Sequence, residues 1–313
     1  MAPSEEYAVV RRRVGFLDRG DFGVLELTGR DRASFLHALL SNEVKALGPG
    51  QGCAATLLDI HGKVQVVLFV WVAEDRIFVV TPPAMAAKTA EALDHYLFSE
   101  KVAIEDVSRE KTLFVLAGPQ ARETSDRLMG KLGETPVRLV SGGGETGEAE
   151  VWIMCALTDA AKVRDALAGA DVRSIGPEAF ESLRIEAGTP LFGHDVDESV
   201  LLSEIPFDNL LSHTKGCYPG QEVVVRIRDR GHVNRMLRGL VLDGDQVPPQ
   251  GAEVVLDDTT IGKVTSAVRS FGLARPIALA FVRRQHAEPG TRVAVRFGGT
   301  TVAATVSALP FAR

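Results

Sequence analysis

Residues Lys215-Gly216-Cys217-Tyr218-Pro219-Gly220-Gln221-Glu222 gather an amine, a thiol, a phenol, an amide and a carboxylate into one short stretch. A Cys217 thiol two residues from the Lys215 ammonium is biased toward thiolate, the form that attacks electrophiles and binds metals. Gly216 and Gly220 permit backbone angles closed to other residues, and Pro219 fixes its own φ. The segment is therefore expected to turn sharply and to display its side chains, with Cys217 as nucleophile and Lys215 as acid or base. Tyr218 offers a ring for stacking on a ligand. Gln221 and Glu222 either face that ligand or only tie down the turn. An ordinary Gly-Pro turn around a buried cysteine is the competing reading of the same residues.

Downstream, Val223-Val224-Val225-Arg226-Ile227-Arg228-Asp229-Arg230 alternates as a strand, which predicts Arg226, Arg228 and Arg230 on one face. That face fits an anionic partner, or a solvated edge strand whose charges deter pairing. RNA is not the expected partner. The net charge is −6, and the aromatics that stack on single-stranded bases are not interleaved with the arginines.

The other cysteines, Cys53 and Cys155, lie in apolar runs and read as core filling. No CxxC pair occurs, which speaks against a structural zinc site or a thioredoxin-like redox pair. One thiol with His213 four residues earlier does not close an iron–sulfur site, which normally takes four ligands. No metal site is expected.

The elements that must position these residues alternate along the chain. Val24–Leu27 reads as a strand, followed by a helix opened by Asp31 that buries Phe35, Leu36, Leu39 and Leu40. Cys53–Leu58, Val64–Val72 and Arg76–Thr81 read as strands, the middle one apolar on both faces and hence interior to its sheet. An Ala-rich helix is predicted from Pro83 to about Phe98. Strands at Lys111–Ala117 and Val151–Leu157, each followed by a helix, repeat the pattern, with Gly142-Gly143-Gly144 as a hairpin loop. Pro177 and Gly188 bound another helix. Beyond Arg235 the texture becomes short β-rich runs separated by turns, the signature of a small barrel or sandwich. The expected architecture is α+β, with a region over 1–235 of mixed sheets and helices and a β-barrel domain over 236–313.

A chain of 313 residues with 45% hydrophobic and 24% charged residues is that of a globular protein of two or three domains. The segment Met1–Arg13 has no apolar h-region, and the densest apolar run, Val64–Ala73, is too short to span a bilayer. A cytoplasmic protein without membrane contact is the expectation.

The stretch Arg184-Ile185-Glu186-Ala187-Gly188-Thr189-Pro190-Leu191-Phe192-Gly193-His194-Asp195, together with the octapeptide, resembles the YgfZ/GcvT-like folate-binding family. Gly29-Arg30-Asp31-Arg32, Leu40-Ser41-Asn42-Glu43 and Gly62-Lys63 extend the resemblance over nearly the whole chain. It implies a GcvT-like folate-binding fold with a ferredoxin-like part and a C-terminal barrel. It also implies tetrahydrofolate, or a one-carbon derivative, as cofactor. Glu186 would face the pterin, accepting its adjacent ring N–H and amino group in a bidentate fit. Asp195 is a second candidate, and Arg226 and Arg228 would meet the folate's glutamate tail. T-proteins carry an Asp on the strand after the Gly turn, whereas here that strand reads Val64-Gln65-Val66-Val67. Gln65 does not exchange a proton at neutral pH, and Asp59 precedes the turn. Two roles follow from the resemblance. One is a folate-binding accessory protein for iron–sulfur enzymes or their assembly proteins, without aminomethyltransferase activity. The other is a one-carbon transferase with an acceptor outside glycine cleavage.

Overall fold

The computed structural model describes residues 2–206 and 208–312. Backbone contacts divide the chain into two units. One comprises Met1–Gly144, Glu148–Gly176 and Asp208–Gln221, and the other Glu145–Gly147, Pro177–Phe207 and Glu222–Arg313.

The first unit runs α1 (Pro3–Arg12), β1 (Gly15–Asp18), β2 (Gly23–Thr28), α2 (Arg32–Leu39), β3 (Gly52–Leu58), β4 (Val64–Val72), β5 (Ile77–Thr81), α3 (Ala86–Asp94) and β6 (Ala103–Asp106). It continues with β7 (Lys111–Ala117), α4 (Ala121–Leu132), β8 (Val137–Ser141), β9 (Glu150–Ala156), α5 (Ala160–Gly169) and β10 (Arg173–Ser174). Two five-stranded sheets result, ordered β3-β4-β5-β2-β6 and β10-β1-β7-β9-β8. Strand β4 pairs on both sides, as its nearly unbroken apolar sequence requires. Helix α2 lays Phe35, Leu36 and Leu39 on the first sheet, against Leu25, Leu57, Val66 and Val79. Each such fully buried side chain contributes about 1.5–3 kcal/mol. Helices α4 and α5 cover the second sheet through Leu128, Val163 and Leu167, and Cys155 fills that core.

Two helix boundaries differ from the sequence reading. Asp31 stands at the start of α2 without capping it; its carboxylate accepts from the Lys101 amide at 2.8 Å instead. Helix α3 begins at Ala86, because Pro82–Met85 closes a separate turn in which Ala84 has φ +62°.

The second unit contains α6 (Pro177–Ala187), α7 (Gln221–Arg230, from Glu222 onward), and six strands: β11 (Arg235–Leu242), β12 (Glu253–Leu256), β13 (Thr259–Arg269), β14 (Pro276–Arg283), β15 (Arg292–Phe297) and β16 (Thr300–Ser307). These close into a barrel ordered β11-β14-β13-β12-β15-β16. Leu240, Leu242, Val254, Ile261, Val264, Ala280 and Val295 fill its interior. Helix α6 stops at Gly188, whose φ of +75° is the left-handed turn that glycine favours, and a Cβ there would meet the Leu309 side chain at 2.7 Å.

Helix α7 corrects the predicted strand. The β-branched run Val223–Val225 and the alternating arginines imitate a strand. Charge decides otherwise: Glu222 lies in the first turn and Arg228 and Arg230 in the last, each matching the helix dipole. Only Val224 is buried, as suits a helix with one narrow contact stripe. At about 100° per residue, Arg226 and Arg230 share a side while Arg228 points away from them. Among the described residues, no helix is long and apolar enough to cross a membrane.

Candidate functional site

The octapeptide is pinned to the first unit from both ends. Upstream, Ser41 Oγ donates to the Leu210 carbonyl at 2.5 Å, Asn42 Nδ2 to that of Asn209 at 3.0 Å, and the Ser212 amide returns to the Ser41 carbonyl at 3.1 Å. Downstream, Gly220 at φ +77° lies so close to the β3–β4 turn that a Cβ would collide with the Asp59 carbonyl and Gly62. In that turn, Asp59 Oδ1 accepts the amides of His61 and Lys63, both at 2.8 Å, so its carboxylate serves the turn. Strand β4 beyond it carries no carboxylate.

Between these anchors the side chains divide. Cys217 is exposed. Lys215 and Tyr218 are buried at 8% and 7% exposure, which overturns the expectation of a fully displayed loop. Lys215 Nζ donates to the carbonyls of His37 and Leu40. These belong to the carbonyls a helix C-terminus leaves without intrahelical partners, so the ammonium closes the end of α2 where the helix dipole favours a cation. Nζ also sits 5.0 Å from the centre of the Tyr218 ring, and that face is therefore not open for stacking a ligand. Burial pushes the Lys215 ammonium down to about 8, against the pull of Glu43, Cys53 and Cys217. Gly216 has no left-handed backbone angle; of the two glycines, only Gly220 uses that freedom.

The side chains around this loop are ones that sequence reasoning did not assign to it. His37, on the last turn of α2, sets Nδ1 3.0 Å from Glu43 Oε1. Cys53 Sγ donates to the Glu43 carbonyl at 3.4 Å, and burial with the nearby Glu43 pushes its thiol up to about 11. Burial likewise holds Cys155 at about 11. Of the three thiols, Cys217 is exposed, Cys53 half-buried and Cys155 buried.

In the second unit, Glu186 and Asp195 belong to separate hydrogen-bond clusters, both tying α6 to the β13–β14 hairpin. Glu186 is fully buried, and its Oε1 accepts from Ser182 Oγ at 3.0 Å, Ser270 Oγ at 2.6 Å and the Gly272 amide at 3.3 Å. Asp195 Oδ1 accepts from Thr265 and Ser266, and Oδ2 from Arg184 at 3.0 Å and the Leu191 amide at 2.9 Å. A carboxylate offers about four lone-pair sites, so this set leaves Asp195 none for a ligand. Arg184, with 0% exposure, organises the cluster; it also reaches Glu181, the Thr189 carbonyl and Ser266. No sequence signal marked it beyond its i,i+3 spacing to Glu181. Gln221 is half-buried at the start of α7, while Glu222, Arg226 and Arg228 are exposed on it, and Arg228 pairs with Asp229 at 2.6 Å.

The sequence profile of the GCVT N-terminal domain matches residues 2–215, and that of the glycine cleavage T-protein C-terminal barrel domain matches residues 235–312. An aminomethyltransferase of Picosynechococcus sp. is 28% identical over 98% of this chain and 89% of its own. One of Thermotoga neapolitana is 29% identical over 99% and 89%. The crystal structure of the glycine cleavage system aminomethyltransferase T from Bartonella henselae superposes with a TM-score of 0.86, covering 99% of this chain and 89% of that one at 23% identity, a likeness of fold. Two sheets with their helices, followed by a closed barrel, are thus matched in order along the chain, which belongs to the GCVT family, that of the glycine cleavage T-protein.

Proposed function

We propose that this protein binds tetrahydrofolate or a one-carbon derivative and supports the assembly or repair of iron–sulfur enzymes, as a YgfZ-type member of its family. The observation that carries the reading is the anchored octapeptide, which holds one exposed thiol, Cys217, on a braced loop. Glu186 fits the role of pterin anchor. Three donors on Oε1 fix the orientation of its carboxylate, and burial strengthens a charge-assisted hydrogen bond to a ligand donor. When bound, the folate supplies a carrier for a one-carbon unit. Asp195 is removed from the ligand set by its four protein partners, and Tyr218 by Lys215. Arg226 and Arg228 point to different sides of α7, so only one of them is available to a given anionic tail.

Aminomethyl transfer in glycine cleavage is disfavoured in this reading. Strand β4 offers Gln65 where proton exchange is needed, and Asp59 is held in its turn. An anaerobic recovery assay tests the role. An oxidatively damaged iron–sulfur enzyme, supplied with iron and sulfide, is expected to regain activity faster with this protein and tetrahydrofolate than without them. That acceleration is expected to vanish with Cys217→Ser. Equal recovery with the variant, or indifference to tetrahydrofolate, would overturn the reading.

A further inference from the structure

A cleft of about 490 Å³ opens in the first unit between α1, α4 and the link from α5 to β10. Long-range contacts build it. Gly118 takes φ +132°, where a Cβ would meet the Arg13 carbonyl at 2.5 Å and that of Val10 at 2.7 Å. The glycine therefore lets the start of α4 press on the end of α1, and the Gln120 amide donates to the Arg13 carbonyl at 3.0 Å. Strand β10 runs parallel to β1 and sets Arg173 opposite Gly15, two residues beyond Arg13. At the far end, Lys131 Nζ donates to the Gly169 carbonyl at 2.6 Å and joins the last turn of α4 to the end of α5. Arg13, Arg127 and Arg173 thus line one cleft, each exposed and each from a different element.

The protein only partly matches this positive charge. Among the described residues the Arg13 guanidinium has no hydrogen-bond or ion-pair partner. Arg127 has an exposed contact of 4.0 Å with Glu123 and a bond to Thr124 Oγ1 at 3.3 Å, a pairing worth little in water. Gln120 makes no capping bond with its side chain and lines the same space. Of the two carboxylates on the walls, Glu5 accepts the Ala2 amide at 3.2 Å and Asp171 lies 3.6 Å from Arg173 Nε. Gln120 and Arg127 are two helical turns apart, hence on one side of α4 and separated by about 10 Å along its axis. We propose that this cleft binds a small organic phosphate or polyphosphate carrying more than one anionic group. Guanidinium forks match phosphoryl oxygens, and arginines spread along two turns suit a ligand longer than a single ion. The volume falls within the range of about 300–1,000 Å³ typical of small-molecule pockets. Among the described residues no aromatic ring lines the cleft, so phosphate chemistry and not a stacked base carries the recognition. The site shares no residue with the octapeptide or the Glu186 cluster, and the proposal is independent of the folate reading.

The test is equilibrium dialysis of the full chain against sodium tripolyphosphate and against ADP, at an ionic strength of about 0.1 M. Saturable binding of tripolyphosphate, a single equivalent per chain, is the expected result. Tighter binding of ADP would assign the site to phosphate esters, and weaker binding to inorganic polyphosphate. Arg13→Gln and Arg127→Gln are each expected to weaken binding by about tenfold. Both positions are exposed, so the thermal midpoint should not move. Asp171→Asn is expected to tighten binding by about threefold. It releases Arg173, and asparagine tolerates the φ of +56° at that position. Arg275→Gln, at an exposed arginine on the β13–β14 hairpin, is expected to leave affinity unchanged. Absent or non-saturable binding of tripolyphosphate would overturn the proposal, as would equal losses in Arg13→Gln and Arg275→Gln. Competition by sulfate as strong as by tripolyphosphate would also overturn it, because a single-ion contact would then account for the binding.

Discussion

Arg184→Met is expected to destabilise the protein by about 3–5 kcal/mol, the usual cost of removing one partner of a buried ion pair. Arg184 and Asp195 both have side chains with 0% exposure, joined at 3.0 Å. Methionine fills much of the volume but leaves Asp195 charged among neutral donors only, with the Thr189 carbonyl unpaired. The loss falls on the attachment of α6 to the barrel, because Ser266 on β13 shares the cluster. Denaturant unfolding measures it. Arg184→Met combined with Asp195→Leu is expected to recover part of the loss, since the pair is then removed without stranding a charge. A single-variant loss below about 1 kcal/mol would mean that the cluster is solvated and that Asp195 is available to a ligand after all.

Lys215→Met is expected to cost about 2 kcal/mol at neutral pH, because it strands two carbonyls at the end of α2. Cys217→Ala, on the exposed position of the same loop, is expected to stay within about 0.5 kcal/mol. The pH dependence separates the Lys215 effect from simple packing. Burial sets the folded-state titration of Lys215 at about 8, against 10.5 for a free lysine. Above pH 8 the native state has shed a proton that the unfolded chain still holds, so this group's contribution to stability rises until about 10.5 and is lost as pH falls through 8. Met lacks that rise. The gap between native chain and variant should widen by about 2–3 kcal/mol from neutral pH to about pH 10. A constant gap would show that the ammonium is solvated and that the loop is held by its other contacts.

The barrel was legible because inward residues such as Leu240 and Leu242 on β11, or Val293 and Val295 on β15, alternate with less buried ones, the period-2 pattern of a strand. Helix α6 was legible from its terminal Pro177 and Gly188. Helix α7 was not, since its valines and alternating arginines carry a strand's local signal, and end charges outweighed it. The burial of Lys215 left no trace in the sequence: its acceptors are backbone carbonyls 178 and 175 residues away, and any residue type supplies a carbonyl. The same holds for Arg184, whose partner Asp195 is 11 residues on, across a turn, with Ser266 on a distant strand. Octapeptide and Glu186 stretch were visible as chemistry. What the fold does with each member depended on long-range partners.

Calorimetric titration with tetrahydrofolate under anaerobic conditions, on the native chain and on Glu186→Gln, tests the central claim. The glutamine keeps an oxygen for Ser182, Ser270 and Gly272 while turning the other carboxylate oxygen into a donor that opposes the pterin. Binding by the native chain, weakened about tenfold to a hundredfold in a variant of unchanged thermal midpoint, is the predicted result. No binding by the native chain, or equal binding by both, would contradict a folate site at Glu186.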